Sequence, residues 1–100
     1  MSVQWIIKEF EEITTKELYN ILALRTEIFV VEQNCPYQEC DGKDLKSYHL
    51  SGIDNDGILQ AYMRILPQNI SYKEVSMGRI VTSANTRGTG LGKELMFEGI

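Results

Sequence analysis

The chain has 100 residues, 43% of them apolar and 24% charged, which suits one small domain around a single core. A formal net charge of −4 with no basic run argues against nucleic acid, where neutralised phosphates supply most of the affinity, and leaves an amine partner open. No apolar run is long enough to span a bilayer, and Met1 to Trp5 lacks the basic and apolar regions of a signal peptide, so a cytoplasmic chain without membrane contact is expected. Cys35 and Cys40 are too few and too close for a disulfide framework, and no Cys/His pairing has zinc-ligand spacing, so free thiols and no metal are expected. The triplet Asn69-Ile70-Ser71 matches a glycosylation sequon that means nothing without secretion.

Val3 to Phe10 mixes β-branched and aromatic residues and predicts an opening strand. Thr14-Thr15-Lys16-Glu17 is a capping box, with Ile13 and Leu18 flanking it as a hydrophobic staple. From there Leu18, Ile21, Leu22, Ile28 and Phe29 recur at helical spacing, predicting a helix through about residue 29 whose apolar face packs on a sheet. Arg25 falls on that stripe, where a guanidinium either snorkels or meets an anion. Pro36 and Asp41-Gly42 break regularity between residues 33 and 46, giving a long loop of the kind that carries binding function. Glu32, Glu39, Asp41 and Asp44 crowd this segment, either concentrating a cation or forming a solvated acidic loop.

Tyr48 to Ile53 and Ile58 to Leu66 are strand-like runs joined by Asp54-Asn55-Asp56-Gly57, whose Asp-Gly step predicts an antiparallel hairpin. Pro67 ends the second run, and a polar loop through Glu74 leads to a strand from Val75 to Thr82. The helix after Gly92 places Leu95, Met96 and Gly99 toward the sheet. It reaches Ile100 without glycine, proline or cap, so the chain is expected to be incomplete.

Between that strand and that helix lies Arg87-Gly88-Thr89-Gly90-Leu91-Gly92. Glycines there let backbone approach an anion, and the first N–H groups of a helix point at it with the dipole behind them, although such a turn is also a common structural device. A Walker loop fails because Arg87 stands where its first glycine belongs and Glu94 follows Lys93. The dinucleotide fingerprint fails because Lys93 or Leu95 occupies its third glycine position. What fits is Arg-x-x-Gly-x-Gly at Arg87, Gly90 and Gly92, which resembles the acetyl-CoA pyrophosphate loop of the GNAT superfamily of N-acetyltransferases. The segment Phe29-Val30-Val31-Glu32-Gln33-Asn34-Cys35-Pro36-Tyr37-Gln38-Glu39, followed by Asp41-Gly42 and Asp44, resembles the ElaA-like branch of that superfamily. Arg25, His49 and Ala61 to Leu66 resemble it too.

The resemblance implies an α+β fold, a mixed sheet flanked by helices, of which residues 1–100 form the N-terminal and central part of a single domain truncated after the pyrophosphate-loop helix. It implies acetyl-CoA as cosubstrate, a small-molecule or protein amine as acceptor, and direct attack without a covalent enzyme intermediate; a homodimer is compatible with it. Backbone from Gly88 to Lys93, through Thr89, Gly90, Leu91 and Gly92, would hold the pyrophosphate, with Arg87 opening the loop. Ile80, Val81 and Thr82 would hydrogen-bond the pantetheine arm as an added strand and supply the oxyanion donor. The amine must lose a proton, since lysine-like amines are mostly protonated near neutral pH. His49 and Glu32 are the candidate bases, each with a plain structural alternative: a strand residue fixed by a hydrogen bond, and a helix-end carboxylate. Tyr37 and Tyr62 are available tyrosines with no assigned role as acid. The rival functions are a non-catalytic acyl-CoA-binding or sensing module and a small protein-interaction domain whose glycines only turn the chain.

Overall fold

A computed structural model describes residues 3–33, 42–67, 76–86 and 89–98. Cys35, Cys40, Pro36, Tyr37, Glu39, Asp41, the sequon at residues 69–71, Val75, Arg87, Gly88 and Gly99 lie outside the described residues. The opening β-branched run forms β1 (Val3–Glu9), and Phe10–Glu12 turn the chain as a short 3-10 helix. The capping box forms as expected: Thr14 Oγ1 accepts from the Glu17 N–H at 3.1 Å, and the Glu17 carboxylate accepts from the Thr14 N–H at 2.9 Å. Glu17 also takes Lys8 Nζ at 2.9 Å, which ties the start of α1 (Thr15–Thr26) to β1.

The expected single helix through residue 29 is two pieces. At Thr26 the α-helical ladder gives way to a π-helical segment, Glu27–Glu32, closed by an i to i−5 bond from the Gln33 N–H to the Ile28 carbonyl at 3.2 Å. The sequence there, Ile28-Phe29-Val30-Val31, is β-branched and aromatic, the class that loses most rotamer freedom against a preceding helical turn. The buried face of the helix is Ile21, Leu24, Arg25 and Ile28; Leu24, absent from the expected stripe, is a core residue.

After a 3-10 turn at Lys43–Lys46 come β2 (Tyr48–Asp54), β3 (Leu59–Leu66) and β4 (Ser76–Thr82), paired antiparallel in the order β1-β2-β3-β4. Every pair among the described residues is antiparallel, so the parallel neighbour that the expected mixed sheet requires is not among them. The Asp54 side chain builds the hairpin, its Oδ1 accepting from the N–H groups of Asp56 at 2.9 Å and Ile58 at 3.0 Å. Trp5 faces Gly52 across the β1–β2 pair, and a Cβ at Gly52 would sit 2.8 Å from the indole ring, so glycine is demanded by close approach.

Two bulges bend this sheet. Ile53 pairs with Leu59 but Gly52 with Ala61, which leaves Gln60 as an extra residue on β3. This places Leu59 on the same face as Tyr62, three residues on, where strict alternation would separate them. The second bulge sets Arg79 and Ile80 of β4 against Met63, with Arg79 at φ 51.

The sheet is covered on both faces. α1 and Ile28 pack on Leu59, Tyr62 and Val81; α2 (Leu91–Glu98) packs Leu91 and Leu95 on Leu50, Ala61 and Met63. Met96, expected to face the sheet, is 39% exposed, because Leu91 and Leu95 one turn apart already define the buried stripe. Trp5 Nε1 donates to Glu94 Oε1 at 3.0 Å, fastening β1 to α2.

Candidate functional site

The strand-to-helix junction that the glycine pattern singles out is formed by the end of β4, a 3-10 turn at Ala84–Thr86 and the start of α2. Gly90 caps α2 with φ +84, a left-handed conformation that a side chain would strain, and its carbonyl accepts the Glu94 N–H at 3.2 Å. The N–H groups of Leu91, Gly92 and Lys93 therefore stand ahead of the first helical bond, at the positive end of the helix. Gly92 is more telling. A Cβ there meets no atom within 4 Å among the described residues outside its own turn, so neither their packing nor backbone strain calls for glycine. Open space over a first-turn glycine fits an anion that approaches the backbone closely.

Leu91 itself, 2% exposed, is a core side chain and offers only its backbone. Thr89, Gly90, Gly92 and Lys93 are exposed. Along β4, Val81 is buried, Thr82 is half-buried and Ile80 is 39% exposed. β4 is an edge strand among the described residues, so its outer side can accept an added extended chain, and the bulge at Arg79 and Ile80 re-aims the backbone there. The bulge has no clear sequence signal.

A second polar group lies inside the α1 face. Arg25, fully buried, donates from Nη1 to Asp44 Oδ1 at 2.8 Å and stands 5.6 Å from the centroid of the Tyr62 ring. Arg64 of β3, 4% exposed, reaches the same carboxylate oxygen at 3.3 Å. The guanidinium on the apolar stripe thus meets an anion rather than snorkelling, and Asp44, 7% exposed, is not part of a solvated acidic loop. Its carboxylate sits between two buried cations from α1 and β3.

His49, 1% exposed, adjoins this group. Its Nε2–H donates to the Asp44 carbonyl at 2.9 Å, which fixes the tautomer, and Nδ1 accepts the Tyr62 hydroxyl proton at 2.5 Å. Burial pushes the imidazole below its usual range and Tyr62 above its own. Both ring nitrogens are committed within the protein, so His49 holds no lone pair for an incoming amine; the hydrogen-bonded strand residue describes it better than the base. Glu32 lies exposed on the π-helical segment, a departure from α geometry that is frequent at functional sites. Signals for the cluster were present, since Arg25 and Arg64 each interrupt an apolar pattern, but nothing in their spacing joins them to one carboxylate.

No family model matches the chain. Over 96% of its length it is 43% identical to a UPF0039 protein of Synechocystis, and over 94% it is 41% identical to protein ElaA of Escherichia coli. The chain spans 62% of the length of each of these curated relatives. Among solved structures, an acyl-CoA N-acyltransferase from Pseudomonas aeruginosa superposes with a TM-score of 0.91 at 47% identity, covering 98% of this chain and 68% of that one. Escherichia coli ElaA gives 0.90 at 40% identity, covering 97% of this chain and 66% of that one. At 16% identity the fold is shared with Escherichia coli YhbS, solved with CoA, at a TM-score of 0.63 over 99% of this chain and 54% of that one. The chain belongs to the GNAT superfamily of N-acetyltransferases, in its ElaA-like branch.

Proposed function

We propose that this chain is the acyl-CoA-holding part of an N-acetyltransferase that moves an acetyl group from acetyl-CoA to a primary amine. The observation that carries the reading is the α2 N-terminus, where the N–H groups ahead of the first helical bond at Glu94 lie beside open space at Gly92 among the described residues. In this reading Thr89, Gly90, Leu91, Gly92 and Lys93 hold the pyrophosphate through backbone N–H groups, joined by Arg87 and Gly88. Ile80, Val81 and Thr82 pair with the pantetheine arm. Residues 1–100 supply the N-terminal and central part of one acetyltransferase domain, as the greater length of the relatives supports.

The amine nitrogen attacks the thioester carbonyl directly: its C–N bond forms, the C–S bond breaks, and CoA leaves as the thiolate. A β4 backbone N–H stabilises the oxyanion. Glu32 takes the amine proton, directly or through one water, and the acidic character of its segment favours a cationic acceptor. His49 serves from within the core by holding Tyr62 and the turn at Asp44.

Isothermal titration with CoA and acetyl-CoA tests the first half; no measurable binding by the protein sinks it. Thiol release from acetyl-CoA across polyamines, amino acids, aminoglycosides and lysine peptides tests the second. Binding without release under every amine supports a non-catalytic acyl-CoA-binding module instead. Glu32→Gln should lower kcat/KM for the best amine at least tenfold while leaving the Kd for CoA within twofold.

A further inference from the structure

The extra residue of the β3 bulge, Gln60, is 5% exposed. Its Nε2 donates to Asp54 Oδ2 at 2.8 Å, reaching the carboxylate that builds the β2–β3 hairpin turn and, as the largest influence on it, holding that carboxyl below its usual range. Its Oε1 accepts the Ser83 hydroxyl, and its main-chain carbonyl accepts the Ser83 N–H at 2.8 Å. Gln60 therefore grips the first residue after β4 at two points and the hairpin at a third.

From Ser83 the chain of bonds continues toward the glycine turn. Thr86, 2% exposed, donates its hydroxyl to the Ser83 carbonyl at 2.9 Å and its N–H to the same oxygen at 3.1 Å. Thr89 repeats the arrangement on the Thr86 carbonyl, with its hydroxyl at 2.5 Å and its N–H at 3.1 Å. Gly90, the helix cap, follows at once. An unbroken path of hydrogen bonds thus runs from the hairpin turn across the bulged residue to the residue before the α2 cap.

We infer that Gln60 and Thr86 are positioning residues for phosphate binding, bracing the turn so that the first N–H groups of α2 converge on the pyrophosphate of CoA. The inference rests on the acetyltransferase reading and adds to it residues that never touch the ligand. Donors that converge before the anion arrives bind it without a further ordering cost, whereas a turn cut loose from the bulge must be ordered at each binding event. A purely structural role would weaken every ligand of the protein alike; a brace on the phosphate turn weakens only ligands that carry the pyrophosphate.

Isothermal titration of CoA and of pantetheine, which lacks the pyrophosphate, tests this in Gln60→Leu, Thr86→Val and Thr86→Ser alongside the unaltered protein. Gln60→Leu and Thr86→Val are expected to raise the Kd for CoA at least tenfold and that for pantetheine less than twofold. Thr86→Ser, which keeps the hydroxyl, is expected to stay within threefold for both. Equal weakening of both ligands, or a CoA affinity unchanged within twofold, overturns the brace while leaving the acetyltransferase reading intact. Failure of the unaltered protein to bind CoA overturns both.

Discussion

Replacing Asp44 by Asn tests the buried ion cluster most directly. The change keeps size and one carbonyl oxygen but removes the negative charge of the carboxylate that contacts Arg25, whose side chain is fully buried, and Arg64, 4% exposed. The two guanidiniums then lose the carboxylate oxygen that both contact. Removing one partner of a buried ion pair costs about 3–5 kcal/mol, a large part of the roughly 5–15 kcal/mol that holds a typical domain together. With a urea slope of about 2 kcal/mol per molar, the unfolding midpoint should fall by about 1.5–2.5 M. Urea titration followed by circular dichroism reads this directly. A triple replacement, Arg25→Met, Asp44→Leu and Arg64→Met, removes charge and desolvation cost together and should recover most of the loss. An Asp44→Asn variant within about 0.5 kcal/mol of the unaltered protein, a shift typical of an ordinary surface substitution, would refute the reasoning.

The remaining expectations concern pH, the glycine turn and a helix cap. Because burial lowers the His49 pKa on folding, the unfolded chain binds more protons near pH 6, so stability is complete above about pH 6.5 and is lost as pH falls through the folded-state value. Urea midpoints between pH 5 and 8 should show this slope and His49→Gln should flatten it; the same slope in both proteins rejects the assignment. Gly92→Val adds a side chain into open space, so stability should stay within about 0.5 kcal/mol by helix propensity while the Kd for CoA rises at least tenfold, and unchanged binding would make the turn merely structural. Gly90→Val, at φ +84, should instead cost about 1–3 kcal/mol of folding stability as well as binding, visible as a lowered thermal midpoint. Thr14→Ala should cost about 1 kcal/mol through loss of the cap on α1, and no change in the urea midpoint would show that Glu17 alone holds that end.

Much of this protein is decided within short windows of sequence. The capping box at Thr14, the Asp54–Gly57 hairpin, the four strands and the glycine turn before α2 all depend on residues a few positions apart, where steric and hydrogen-bonding rules act without help from the rest of the chain. The family follows from the same windows, because a phosphate cradle needs glycines and a helix start in fixed succession. Tertiary structure decided the rest. Arg25, Asp44 and Arg64 meet only because a helix, a turn and a central strand converge in a dry interior, and that convergence buries Asp44 and gives both His49 ring nitrogens partners within the protein. The bulges at Gln60 and at Arg79 and Ile80 are set by register between strands, a property of pairs that neither strand carries alone. So the sequence by itself placed a glycine turn and a helix start at Gly90 and Gly92, whereas only the packed sheet decided which buried side chains are hydrogen-bonded to the segment before them.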